Sequence, residues 1–277
     1  MENLTWFITG ISSGIGAALA QAALAAGHRV AGTTRSAATA AHFSAAKPGH
    51  SLGLVADLTD PDAPARAVQA AQQALGPIDV LVNNAGFGFT GAVEETSPAE
   101  AQGLLAVNTW APLAFIKAVL PDMRAHKSGH IIQISSHAGV KGFAGFGLYA
   151  ASKFALEGYT EALHTEVKPL SIKVTLVEPG PFRTAFAGAS LQRAAAQIAD
   201  YQTTALAFRE RLEKADGRQE GDPAKAAAAI LALAAQAEPP LRLPLGPTAL
   251  ATLEAKAHAL LQDVENARAV AQAAVFA

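Results

Sequence analysis

Apolar positions along the chain fall into two alternating rhythms. Short continuous apolar runs at Thr5–Thr9, Arg29–Thr34, Ser51–Ala56, Ile78–Val82, His130–Ser135, Ile172–Val177 and Leu241–Leu245 predict strands buried on both faces. Between them lie alanine-rich stretches with apolar residues every three or four positions, as at Ile15–Ala26, Pro64–Leu75, Ala99–Leu120, Tyr149–Val167 and Pro223–Ala234. These predict helices, which alanine favours. The alternation predicts an α/β fold: a doubly wound, seven-stranded parallel sheet with helices on both faces and right-handed crossovers. No linker, repeat or break in composition divides residues 1–277, so a single domain is expected.

Two segments depart from the rhythm. Residues 188–221 are polar and helix-prone, and are inserted between the sixth strand and the next helix. Their mix of Tyr201, Leu206 and Phe208 with charges suggests a lid. In the tail, residues 246–277, Leu250, Leu253, Leu260 and Val264 fall on one helical stripe, expected to pack on the body or on a neighbouring subunit.

Composition narrows the partners. Of 277 residues 51% are hydrophobic, and the formal net charge is −2 with no basic block, which argues against nucleic acid and anionic membrane. Cysteine is absent and the eight histidines are scattered, so disulfides and thiolate sites are excluded and no metal is expected. The N-terminal MENLTWFITG enters a strand at once without a basic, apolar leader, and the apolar run AKAAAAILALAAQA is too short to span a bilayer. A soluble, cytoplasmic protein is expected.

The first strand runs into TGISSGIG, with Gly10, Gly14 and Gly16 at the mouth of the first helix. Glycines there let a pyrophosphate approach the backbone and the helix N-terminus, where free N–H groups and the dipole favour an anion. Between a strand and a helix, this spacing predicts a dinucleotide-binding loop of the Rossmann type. In such folds an acid ending the second strand binds the ribose 2′-hydroxyl of NAD, whereas arginine accommodates a 2′-phosphate. Here Thr34 takes the acid's place and Arg35 follows, which predicts NADP(H). Asp57, ending the third strand, is placed to accept from the adenine amino group or to cap the helix after Pro61.

Further on, SSHAGVKGFAGFGLYAASK sets Tyr149 and Lys153 four residues apart on one helix face, thirteen positions after Ser136. A tyrosine titrates near ~10, and a neighbouring ammonium stabilises its phenolate, so the pair can move a proton to or from a carbonyl oxygen. General catalysis of this kind is worth about 10²–10⁴ in rate. With these motifs in order, the chain resembles the short-chain dehydrogenases/reductases over Thr5–Thr184: TGISSGIG, NNAG at Asn83–Gly86, Ser136, YAASK, and PGPFRT at Pro179–Thr184. The resemblance implies that Tyr149 is the acid/base, Lys153 its tuner and ribose ligand, and Ser136, preferred over Ser135, the clamp on the substrate oxygen. It implies that Asn108 supports a proton-relay water, with Ala111 where the family usually carries glycine. Cofactor contacts are implied for Gly10, Ser12, Ser13, Gly14, Ile15, Gly16, Arg35, Asp57, Leu58, Asn83, Ala85, Gly86, Tyr149, Lys153, Pro179, Gly180, Phe182 and Thr184.

Phe87, Phe89, Phe143, Phe146, Phe154, Phe182 and Phe186 gather near these motifs and suggest an apolar substrate, with the core as their alternative home. Of basic residues only Arg183 and Lys141 lie near the site in sequence. The branch most resembled is that of hydroxysteroid and retinol dehydrogenases. A 3-oxoacyl reductase, and an NADP-binding redox sensor without turnover, are the alternatives. The family also implies a homodimer or homotetramer through the tyrosine-bearing helix, where Ala155, Gly158 and Ala162 would allow close contact.

Overall fold

The structure, a computed structural model, describes residues 3–188 and 190–276. In chain order its elements are β1 (Thr5–Thr9), α1 (Gly14–Ala25), β2 (Arg29–Thr34), α2 (Ala37–Ala46), β3 (Ser51–Val55), α3 (Ala63–Leu75), β4 (Val80–Asn83), β5 (Gly88–Thr90), α4 (Pro98–Leu105) and α5 (Ala111–His126). There follow β6 (Gly129–Ile134), α6 (Gly147–Val167), β7 (Ile172–Pro179), β8 (Leu191–Arg193), α7 (Ala207–Lys214), α8 (Pro223–Ala234), β9 (Arg242–Leu245) and α9 (Pro247–Ala273).

Seven strands form one parallel sheet in the order β3-β2-β1-β4-β6-β7-β9, as the continuous apolar runs require. The chain winds outward from β1 to β3, then returns and winds the other way from β4. The strand order therefore reverses between β1 and β4, and there a crevice opens at the strands' C-terminal ends. One core, with Ile8, Leu19, Val82 and Ile230 completely buried, fills the space between the sheet and α1 and α8. On the other face Phe7, Leu81, Phe115 and Ile131 pack beneath α3, α5 and α6. Burying each such side chain is worth roughly 1.5–3 kcal/mol. The helical run 98–126 is long and apolar enough by itself to cross a membrane, but here it is a layer of the fold with Leu104, Phe115, Ile116 and Val119 buried.

Three features differ from the sequence expectation. The predicted helix Ala99–Leu120 is two α-helices joined by a π-turn at Ala106–Trp110, where Asn108 is wholly buried. Strands β5 and β8, three residues each, pair in a separate two-stranded sheet that ties the start of the 188–221 segment to the loop after β4. The tail does not pack back on the body along its length: Ala249 is buried, but every described residue from Ala257 to Phe276 is exposed.

Candidate active site

The glycine loop after β1 forms the floor of the crevice. Gly14 has φ +61°, a left-handed conformation that favours glycine, and a Cβ there would press on Thr184 at 3.1 Å. Ser13 sits at the N-cap of α1 without a side-chain cap bond, and no acid lies in the first turn, so the helix N-terminus is left to an anion. The loop is stitched to the β4 end: Thr9 Oγ1 accepts from the N–H groups of Asn84 and Ala85, each at 2.9 Å, and Asn84 Nδ2 donates to the carbonyls of Thr9 (2.9 Å) and Gly10 (3.0 Å).

A cleft of about 720 Å³ runs from this loop across the sheet end. Of the predicted residues it is lined by Gly10, Ser12, Ser13, Gly14, Ile15, Arg35, Asp57, Leu58, Ala85, Gly86, Ser136, Tyr149, Lys153, Pro179, Gly180, Phe182 and Thr184. Three predicted residues stand behind the wall instead. Asn83 is buried and its Nδ2 donates to Pro112 O at 3.1 Å; the neighbouring Asn84 lines the cleft. Gly16 is a packing glycine, since a Cβ there would come within 2.3 Å of both Asn84 Nδ2 and Gly10 O. Asn108 spends its amide on the β4–β5 loop, accepting from Phe87 N–H (3.1 Å) and donating to Phe87 O (3.0 Å) and Ser152 Oγ (3.3 Å).

At one end of the cleft Arg35 is exposed beside Thr34, and among the described lining residues Asp57 is the sole carboxylate. Asp57 does not cap α3, whose N-cap is Asp62. Its Oδ1 accepts from Thr59 N–H (3.0 Å) and Thr59 Oγ1 (2.8 Å), and these bonds hold its carboxyl below the usual range. The strand-end threonines 33 and 34 and Asn84 complete this end; the sequence singled out Thr34 and, within NNAG, took Asn83 rather than Asn84 as the contact.

At the other end Tyr149 and Lys153, one turn apart on α6, are both buried. Burial pushes the Tyr149 phenol up, and hydrogen bonding by Ser136 pulls only partly against it. The net shift is opposite to that expected from an ammonium neighbour: the Lys153 Nζ lies 6.0 Å from the ring centroid and donates to Ile134 O at 2.8 Å. Burial lowers Lys153 to about 8, with Glu157 opposing. Ser136 caps the short 3-10 turn His137–Gly139, its Oγ accepting from Ala138 N–H at 3.1 Å.

Below Lys153 lies a charge cluster that the sequence did not reveal. The Arg242 guanidinium on β9 pairs with Glu157 and Glu161 of α6 and with Glu178 of β7. Burial pushes both Glu157 and Glu178 up, Glu178 to about 7, while Arg242 opposes the shift. The cluster fastens the edge strand to the two elements that carry Lys153 and Pro179.

Aromatic rings enclose Tyr149. Phe146 stacks on it at 4.3 Å, Phe186 meets it edge-on at 5.3 Å, and Phe208, from the 188–221 segment, lies 5.5 Å from Phe146 and 6.2 Å from Phe143. Phe87 and Phe182 also line the cleft. Phe89 is core instead, and Phe154 faces solvent on α6 beside the exposed Ala155, Gly158 and Ala162. Leu212, Ala215 and Gln219 close the chamber, and the buried Gln219 Oε1 has no hydrogen-bond partner among the described residues. Lys141 lies over Phe143, and Arg183 Nε donates to Gln219 O, so neither reaches into the chamber as a clamp.

A cleft that joins a glycine loop at a helix N-terminus to a buried serine, tyrosine and lysine suits an oxidoreductase. The short chain dehydrogenase family model matches residues 5–195. A 3-ketodihydrosphingosine reductase from Bacteroides thetaiotaomicron is 40% identical, across 95% of each chain. A solved short-chain dehydrogenase from Streptomyces avermitilis is 36% identical, with TM-score 0.93 over 99% of this chain and 100% of that one. A metagenomic short-chain oxidoreductase solved with NADP is 31% identical, with TM-score 0.68 over 88% of this chain and 97% of its own. The chain belongs to the short-chain dehydrogenase/reductase family, whose members act on small molecules.

Proposed function

We propose that the protein is an NADP(H)-dependent reductase of a bulky, apolar ketone or aldehyde, running in reverse as an alcohol dehydrogenase, with Tyr149 as its general acid and base. One observation carries this reading: Ser136, Tyr149 and Lys153 share one cleft with a free helix N-terminus and Arg35 at one end and a phenylalanine-lined chamber at the other. The relative named as a 3-ketodihydrosphingosine reductase adds weight to a keto substrate.

The residues present fit a dinucleotide phosphate. Residues 12–15 would hold the pyrophosphate, Arg35 the 2′-phosphate, and Asp57 and Leu58 the adenine. Lys153 would hold the ribose hydroxyls and Thr184 the carboxamide, against a wall made by Pro179, Gly180 and Phe182. When bound, that cofactor supplies the hydride. Ser136 Oγ hydrogen-bonds the substrate oxygen and steadies its developing negative charge, and Tyr149 Oη gives that oxygen a proton. Burial keeps the phenol protonated at neutral pH, as an acid must be. The cost of the phenolate left behind is met by the ammonium of Lys153, which prevails below about pH 8. Phe146, Phe186 and Phe208 exclude water and select apolar substrates.

Oxidation of NADPH by the purified protein over carbonyls from small aldehydes to ketosteroids and long-chain 3-keto compounds tests the reading. Turnover is expected on the bulky apolar members, with Tyr149→Phe abolishing it and Arg35→Ala raising KM for NADPH far more than for NADH. Tight NADPH binding with no carbonyl reduced would overturn it.

A further inference from the structure

The helix α9 leaves the body after three turns. Its first two turns are anchored: Ala249 is buried against Gly180, and Thr252 Oγ1 lies 3.2 Å from His137 Nδ1. From Ala257 onward it stands in solvent for about 25 Å at 1.5 Å per residue. A free-standing helix is normally polar all round. This one exposes Leu260 by 49%, Leu261 by 67%, Val264 by 59% and Val270 by 76%.

Six of its apolar residues keep the 3-4-3-4 spacing of a coiled-coil seam, Leu250, Leu253, Ala257, Leu260, Val264 and Ala267, while Leu261 and Val270 flank it. We propose that this seam pairs with the same helix of a second copy of this chain, running antiparallel about a two-fold axis between Ala257 and Leu260. Two complementarities select that occupant and that direction. The seam matches itself in size when reversed, with Leu250 meeting Ala267 of the second copy, Ala257 meeting Leu260, and Val264 meeting Leu253. It also matches itself in charge, since the same register sets Lys256 beside Asp263 of the second copy, and the symmetry makes this contact twice. A parallel pair would leave Ala257 facing Ala257, a gap at the centre of the seam. The pairing uses a surface separate from the exposed face of α6 around Phe154, so it adds an assembly step to any contact made there.

The full-length protein tests this by light scattering behind size exclusion. Leu260→Glu, at an exposed position that leaves the fold intact, is expected to halve the mass while leaving the circular dichroism of the folded protein unchanged. Lys256→Glu and Asp263→Lys are each expected to weaken association, and the double variant to restore it. The chain has no cysteine, so A257C/L260C is expected to form an inter-chain disulfide on mild oxidation while A257C alone does not. A mass unchanged by Leu260→Glu would overturn the pairing and give the seam to a different occupant. A cross-link from A257C alone would overturn the antiparallel direction.

Discussion

Replacing Glu157 by glutamine removes a charge one helical turn from Lys153 while keeping its shape, and so isolates what the buried cluster does for the site. Side chains at i and i+4 lie about 6 Å apart, and at an effective dielectric of about 20 a unit charge at that distance is worth about 3 kcal/mol. Arg242 sits on the same carboxylate and cancels much of its field. If half survives, about 1.4 kcal/mol or about one pK unit reaches Lys153. Lys153, held at about 8, would then titrate near ~7. The ammonium fraction would drop about threefold near pH 7.5 and hardly change at pH 6. The assay is kcat/KM for NADPH-driven reduction from pH 6 to 9. The alkaline limb is expected to move down by about one pH unit with the acid plateau retained. Glu161 and Glu178 still hold Arg242, so the thermal midpoint should move by no more than about 5 °C. An unmoved limb, or an equal loss at every pH, would refute the electrostatic reasoning and leave Glu157 as a packing group.

Three further outcomes are expected. Gly16→Ala forces a Cβ against the Gly10 carbonyl and should cost about 1–3 kcal/mol, with NADPH affinity lost in parallel by fluorescence titration. His130, its Nε2 3.0 Å from Thr175 Oγ1, is lowered by burial to about 3 from 6.5. Its contribution to stability is complete above pH 6.5 and is lost as pH falls, so urea unfolding should show wild type losing about 2 kcal/mol from this group between pH 7 and 5, and His130→Gln losing none of it. Phe208→Ala opens the roof of the chamber without touching Tyr149 directly, and should raise KM for bulky apolar ketones about tenfold while sparing small aldehydes, as steady-state kinetics would show.

The main sheet was legible because each of its strands is a continuous apolar run, and a parallel sheet between two helical layers leaves such a run no polar face. Strands β5 and β8 were not legible. Three residues carry no periodicity, and Gly88 finds its partner only at Leu191. Tyr149 and Lys153 were readable because helix geometry fixes their relation locally. The Asn83–Asn84 pair was not, since which amide faces the crevice depends on how β4 ends. Least visible was Arg242 with its three carboxylates: Glu178 and Arg242 are distant in sequence and meet only through the register that sets Leu176 beside Arg242.

The residues around Tyr149 reach it by two separate routes. Ser136, Lys153 and the Pro179–Gly180 wall come off the sheet or the helix packed on it. Phe208, Leu212, Ala215 and Gln219 all arrive on one excursion of chain between β8 and α8. The backbone pairing of β8 on β5 marks where that excursion begins. Changes of length or sequence inside it can reshape the chamber while Ser136, Tyr149 and Lys153, the groups proposed to handle the proton, stay where the sheet and α6 put them. On the proposed function, substrate choice is in evolutionary terms a detachable module, and new specificities can arise by exchange of a single surface segment.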